Sequence, residues 1–278
     1  MRWQTTPDVA GFLAAAGDFL SAGPVEHTLS LTIAHTVRDD GPGAFGAQPP
    51  LFGWGGDPVT AAFTHTPPHP VVLATASGDA AAALADRLAG DGWAVSGVNG
   101  PAEAADAFAR AWCARAGGTP VETMRTRLYQ LVDLSPPDPA PDGAPRPVSA
   151  AYRDWAVAWL EACAREIGDL PRPAGVMVDA HLTEGGLTVW EADGTPVAFA
   201  GHRRAIAGTS RLGPVYTPAE HRRRGYGAAV TVAAAQAARA AGATEVVLFT
   251  NLANPTSNGV YLRVGFRPVG DRVVIAFR

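Results

Sequence analysis

The apolar positions of the chain fall into alternating helix-like and strand-like runs. Near the start, Val9, Phe12, Leu13, Ala16 and Leu20 recur at helical spacing. Thr6 and Pro7 read as an N-cap and first helical residue, and Gly23-Pro24 stops the run. Residues 26–37 alternate, with Leu29, Leu31 and Ile33 on one side, and predict a strand. After a glycine- and proline-rich loop over 39–50, residues 51–54 and 59–66 predict a strand pair around Gly55-Gly56-Asp57-Pro58. There follow a strand over 71–75, a helix over 79–88 and a strand over 93–98. A helix opened by Pro101 carries Phe108 and Trp112 one turn apart, and a strand covers 124–134.

Residues 135–147, SPPDPAPDGAPRP, hold six prolines and no apolar periodicity. They predict an extended linker, and hence domains at 1–135 and 148–278 with the linker at 136–147. The second half opens with a helix whose Trp155, Trp159, Cys163 and Ile167 lie one turn apart as a buried stripe, then a short helix over 173–182. Residues 187–190 and 196–200 flank Asp193-Gly194, a hairpin signal. An apolar run through Leu212, Val215 and Tyr216 breaks at Thr217-Pro218, and the alanine-rich residues 228–241 predict a helix ended by Gly242. A buried strand over 245–250, a short helix from Pro255 to Gly265 and a strand over 273–277 complete the order. Residues 71–134 and 210–277 both read strand, helix, strand, helix, strand, so the fold is expected twice.

Composition narrows the class. With 278 residues, 47% hydrophobic and 17% charged, the chain suits a globular protein with a substantial core. Net charge is −4, which gives no global attraction for nucleic acid or anionic membrane. All 22 basic residues are arginine, and with abundant Ala, Gly and Pro this reads as a bacterial-like, G- and C-rich coding bias. Two cysteines, Cys113 and Cys163, form neither a disulfide framework nor a metal cluster, and no signal peptide or membrane span is evident. A cytoplasmic protein is expected.

Chemistry concentrates between Thr217 and Ala228. Arg222, Arg223 and Arg224 lead into Gly225-Tyr226-Gly227 and then the alanine-rich helix. A helix N-terminus presents backbone N–H groups without intrahelical partners, and they suit an anion. Glycines at 225 and 227 remove side chains that would hold an anion away from the backbone. These residues make a candidate pyrophosphate cradle, and equally a solvated charged loop that caps a surface helix. The corresponding loop of the first half, Ala76-Ser77-Gly78, has no arginine and no second glycine.

The loop Arg222-x-x-Gly225-x-Gly227 resembles the (Gln/Arg)-x-x-Gly-x-(Gly/Ala) signature of the GNAT superfamily of N-acetyltransferases. Asn254, Ser257 and Tyr261, followed by Gly265-Phe266, resemble its second signature, Asn-x-x-(Ala/Ser)-x-x-x-Tyr with a nearby Gly-Phe. The likeness covers residues 143–278, including Arg146, Asp154 and Trp155, and extends to the first half only as a degenerate copy, a tandem arrangement. It implies an α/β fold on a mixed sheet: a GNAT acyltransferase fold in the C-terminal half and a degenerate GNAT-like N-terminal half. It implies an N-acetyltransferase that uses acetyl-coenzyme A as co-substrate and no metal, and that moves the acetyl group to a primary amine by direct attack in a ternary complex. Backbone groups of Val215, Tyr216 and Thr217 would hold the pantetheine arm and thioester. Arg222, Arg223, Arg224, Gly225, Tyr226, Gly227 and Ala228 would hold the pyrophosphate. Asn254 and Ser257 would lie against the coenzyme, and Tyr261 would protonate the departing thiolate. Without the resemblance, Asn254-Pro255 is a helix cap and Tyr261 a core aromatic.

Other residues carry less. Residues 209–217 hold no carboxylate, so the base stays open among Glu161, Glu191, His202 and a water chain. His65 and His69 are separated by two prolines, which rules out a helical zinc pair. Cys113 and Cys163 lack an evident base partner. Arg203-Arg204 has no aromatic interleaving of the kind nucleic-acid surfaces use. The acceptor is expected to be a small-molecule or peptide amine, and oligomeric state is open. A non-catalytic acyl-coenzyme A binding or sensing module is the alternative.

Overall fold

The computed structural model describes residues 1–168 and 172–278. In chain order the elements are β1 (Trp3–Thr6), α1 (Val9–Ala22), α2 (Thr28–Asp40), β2 (Leu51–Gly55), β3 (Ala61–His65), β4 (Val71–Ala74), α3 (Gly78–Gly90), β5 (Gly97–Pro101), α4 (Ala102–Ala116) and β6 (Pro120–Leu131). The order then repeats: β7 (Ala144–Pro147), α5 (Arg153–Ile167), α6 (Ala174–Thr183), β8 (Leu187–Ala192), β9 (Thr195–His202), β10 (Thr209–Tyr216), α7 (Tyr226–Ala240), β11 (Glu245–Asn251), α8 (Pro255–Arg263) and β12 (Phe266–Phe277). Short 3₁₀ turns, Ala150–Tyr152 and Ala219–His221, precede α5 and α7.

Two compact units result, Met1–Arg127 with Gly270–Arg278, and Leu128–Val269. In the first, the strand order is β1-β2-β3-β4-β5-β12, with β4 and β5 parallel and the other neighbours antiparallel. Its core gathers Phe63, Leu73, Leu84, Leu88, Phe108 and Trp112, with Val273 and Ile275 from β12. In the second, the order is β6-β11-β10-β9-β8-β7, with β10 and β11 parallel. Its core gathers Val230, Ala234, Val246, Leu248 and Phe266, with Tyr129 and Leu131 from β6. Each unit is thus closed by a strand from the other half of the chain. Residues 128–134, ahead of the proline-rich stretch, are part of the second unit.

Several sequence expectations change. The strand expected at 26–37 does not form: residues 28–37 lie in helix α2, which buries Ser30, Ile33, Ala34 and Val37 at i, i+3, i+4 and i+7. Alternating leucines masked that face because half of it is polar. Thr32 settles its hydroxyl by donating to the carbonyl of Thr28 at 2.7 Å. The first helix is capped by Asp8, which accepts from the N–H groups of Ala10 and Gly11, rather than by Thr6, which ends β1. The strand expected at 93–98 is β5, four residues later. The strand expected at 273–277 is longer: β12 extends back to Phe266. Residues 144–147 form a strand in the stretch expected to be wholly extended linker. Its two prolines fit because β7 is an edge strand, paired only to β8. The stripe on α5 is buried only at Cys163. Trp155 and Trp159 are half-buried and Ile167 is 53% exposed, while Ala156 and Leu160 enter the core. The hairpin at Asp193-Gly194 has both residues at positive φ, 50° and 72°, as a two-residue turn between twisted strands requires.

Candidate active site

Strand β10 begins as an ordinary member of its sheet. It pairs in parallel with β11 from Thr209↔Glu245 to Leu212↔Leu248, where the described register ends. Its pairing with β9 slips between Leu212 and Val215, then resumes at Val215↔Ala200 and Tyr216↔Phe199. Pro214 has no N–H to offer, and Gly213 takes φ 144°, a value that favours glycine. β10 therefore parts from β11 while still held by β9. Past Leu212, the β10 backbone is no longer registered with β11, at the C-terminal end of the parallel pair.

The chain next makes a 3₁₀ turn and reaches α7 through Arg223 at φ 63° and Gly225 at φ 85°. Gly225 is the N-cap and no side chain bonds the first turn, which holds no acid. Tyr226, Gly227 and Ala228 thus present N–H groups at an open helix end, where partial positive charge accumulates. A Cβ at Gly227 would lie 3.3 Å from the hydroxyl oxygen of Thr217, so a side chain there would press on the Thr217 hydroxyl where the helix start meets the strand end. Arg223 and Arg224 are exposed beside this end. Open N–H donors beside positive charge are the chemistry that suits an anion.

Arg222 acts differently from its neighbours. Its Nε donates to the carbonyl of Thr217 at 2.8 Å, and its Nη2 donates to both carboxylate oxygens of Glu166 at 2.6 and 2.8 Å. Its guanidinium carbon lies 5.9 Å from the centre of the Tyr216 ring. The Tyr216 hydroxyl donates to the same carboxylate at 3.0 Å. Partial burial, followed by this carboxylate, raises the phenol pKa. Glu166 escaped the sequence reading. The available signal was its place on α5, one helical face with Trp159 and Cys163.

Tyr216 also meets an aromatic group on α5. The Trp159 ring stands 6.0 Å away, edge-on, Phe199 lies 6.3 Å away, and the two indoles of Trp155 and Trp159 are 4.4 Å apart.

The second signature is placed at α8. The Asn254 side chain accepts from the Ser257 N–H at 3.0 Å and caps the helix, with Pro255 at its first position. Asn258 joins Asn251 and Asn254 through their carbonyls and accepts from the Tyr129 hydroxyl. Tyr261 is buried between Tyr129 and Phe266, with ring centres 6.4 and 6.0 Å away. Burial, and after it Cys163, raises its phenol pKa well above the usual value. Tyr226 and Tyr261 belong to one apolar cluster, against which Val215 and Ala228 also pack.

The candidate bases scatter. Glu161 is exposed on α5, and Glu191 is held by Arg146. His202 is buried opposite Leu212, with burial lowering its pKa and its Nδ1 without a hydrogen-bond partner. None is joined to Tyr216. Burial pushes the Cys163 thiol up to about 11, which suits a core residue rather than a nucleophile. Among the described residues, no cluster of three or more His, Cys, Asp or Glu side chains is placed to hold a metal, and no helix is long and apolar enough to cross a membrane.

The comparisons agree with this architecture. Residues 146–266 match the family described as the acetyltransferase (GNAT) family. The whole chain shares its fold with solved GNAT structures. A GNAT-family acetyltransferase from Colwellia psychrerythraea is 11% identical, with a TM-score of 0.61 and 100% of both chains covered. A GCN5-related N-acetyltransferase from Sphaerobacter thermophilus is 15% identical, with a TM-score of 0.61, covering 98% of this chain and 94% of that one. A tandem GNAT protein from the clavulanic acid biosynthesis pathway is 14% identical, with a TM-score of 0.56, covering 99% and 97%. No curated protein sequence matches the chain.

Proposed function

We propose that this protein transfers an acetyl group from acetyl-coenzyme A to a primary amine, by direct attack with both substrates bound in the second unit. The observation that carries the reading is the parting of β10 from β11 beside an uncapped, glycine-started helix. The match of residues 146–266 to the acetyltransferase (GNAT) family adds weight, since GNAT enzymes generally use acetyl-coenzyme A and act on small-molecule or peptide acceptors.

Acetyl-coenzyme A supplies the activated thioester carbon. The amides of Gly225 through Ala228 bind the pyrophosphate, with Arg223 and Arg224 adding charge. Backbone groups of Val215, Tyr216 and Thr217 orient the arm and thioester. Asn254 and Ser257 bound the coenzyme at the start of α8. The phenol of Tyr261 keeps its proton at neutral pH and delivers it to the sulfur as the carbon–sulfur bond breaks. The amine forms the new carbon–nitrogen bond and releases its proton to water or a base. In this reading, catalysis belongs to residues 148–278, and residues 1–135 are a degenerate copy.

The test is thioester consumption with a panel of primary amines. Amine-dependent release of free thiol is expected. Coenzyme binding with no turnover of any amine would instead make the protein an acyl-coenzyme A sensor.

A further inference from the structure

Glu166 sits in the last turn of α5, a helix that carries none of the proposed coenzyme-binding residues, yet its carboxylate meets two parts of that site. One oxygen accepts from the hydroxyl of Tyr216, where β10 ends. Both accept from Arg222, whose Nε also reaches back to the Thr217 carbonyl. Arg222 therefore ties the residues on both sides of the 3₁₀ turn to α5. Beyond it, Arg223 and Gly225 take positive φ values of 63° and 85°, and they lead the chain into the uncapped start of α7.

We propose that Glu166 is a positioning residue for coenzyme binding: one carboxylate fixes Tyr216 at the acyl end and Arg222 at the pyrophosphate end. The proposal rests on the acetyl-coenzyme A reading above. Its physical basis is pre-organisation. Loop 217–225 has no regular hydrogen-bond ladder after its 3₁₀ turn, and a loop already held in its anion-accepting shape loses less freedom on binding. The side chains of Glu166 and Arg222 are 45% and 42% exposed. Water and salt thus weaken the pair, and it contributes little to the stability of the unliganded fold.

The test is titration of the full-length chain with coenzyme A, followed by kinetics on an accepted amine. Glu166→Ala should weaken coenzyme A binding and raise the KM for acetyl-coenzyme A by about two- to fivefold, the scale of an exposed ion pair. The KM for the amine, kcat and the ligand-free melting temperature should stay close to those of the parent. Glu166→Gln keeps an acceptor for the Tyr216 hydroxyl but not the charge facing Arg222, so it should fall between the two. Unchanged coenzyme affinity in Glu166→Ala would overturn the proposal, as would a loss confined to ligand-free stability. If the parent chain itself binds no coenzyme A, the acetyl-coenzyme A reading falls and this inference falls with it. If the parent binds and both variants bind equally well, only the role of Glu166 is lost.

Discussion

At α3 the first turn is closed by its own side chains. Ser77 accepts from the Ala80 N–H at 3.2 Å, Thr75 accepts from the Ser77 N–H at 3.1 Å, and Asp79 adds a negative charge. At α7, in the same place in the element order, the cap is a left-handed glycine with no side chain bonding the turn and no acid within it. The glycines also differ in use. A Cβ at Gly78 would touch Ala107 at 3.4 Å, so that glycine serves the packing of α3 on α4, whereas Gly227 faces Thr217. The parallel strands repeat the contrast. β4 and β5 pair only at Val71↔Val98 and Val72↔Asn99. Beyond that point Arg272 donates to the carbonyls of Leu73 and Asn99 and to the Asn99 side chain, at 3.0 to 3.1 Å. The Leu73 side chain fills the space over Gly100, where a Cβ would lie 3.0 Å from it. A duplicated fold can thus keep its core in both copies while one copy spends its gap on internal contacts. What separates them is a handful of residues at one sheet end and one helix end.

The most severe test concerns Tyr261. Tyr261→Phe keeps the ring against Tyr129 and Phe266 and removes only the proton. Turnover should fall by roughly 10²- to 10⁴-fold with coenzyme binding retained. Normal turnover in a folded variant would remove Tyr261 from the mechanism. Because burial raises its pKa, the phenol should also stay protonated beyond the usual value near 10, so it should cause no loss of rate between pH 7 and 9.

Next comes the closed gap of the first unit. Arg272→Met deletes the guanidinium of a buried residue and leaves the carbonyls of Leu73 and Asn99 without it, which should cost about 3 kcal/mol in chemical denaturation. Calorimetry on the unsubstituted chain should give one coenzyme A per chain, and on the variant still one, because Ser77 and Asp79 continue to close α3. Two equivalents from either protein would break the contrast between the units.

A slightly smaller effect is expected at the open helix. Gly227→Glu puts bulk and negative charge at the anion site. At a coenzyme concentration about 100 times Kd the parent gains about 2.7 kcal/mol of apparent stability, and the variant should lose most of it. An equal thermal shift in both would reduce the loop to a helix cap.

The smallest effect is one in which the units behave alike. His65 in the first and His181 in the second are both buried, and burial pulls each down to about 4. Both are neutral when folded and take up protons in the unfolded chain below its pKa of about 6.5. Their stabilisation is complete above pH 6.5 and is lost as pH falls through the window to 4, by about 1 kcal/mol per pH unit for each. Denaturation midpoints measured across this window, with His65→Asn and His181→Asn flattening the slope separately, would check the sign.

Residue pattern alone conveyed much of this. The repeated order of elements, the hairpin at Asp193-Gly194 and the glycine start of α7 all follow from local chemistry, and local chemistry is what a sequence displays. Three things were hidden for a common reason. The helical face of α2 includes buried hydroxyls, the strand β12 runs through polar residues, and the carboxylate that meets Tyr216 lies fifty positions away in the chain. Each depends on what the fold brings together rather than on spacing. Asn254 shows the limit from the other side, since one asparagine satisfies both the capping role and the family pattern, and its spacing cannot separate them.

The exchange of β6 and β12 has a bearing on synthesis and on inheritance. Residues 1–127 leave the ribosome long before residues 270–278, yet their sheet is completed by that late segment. The first-made half must therefore wait, with the edge of β5 unpaired, until synthesis has passed residue 276. A gene cut at the proline-rich stretch would give two fragments, each missing the strand that closes it. Recombination that swaps one half for a foreign one would have to bring a strand that fits the sheet of the other half.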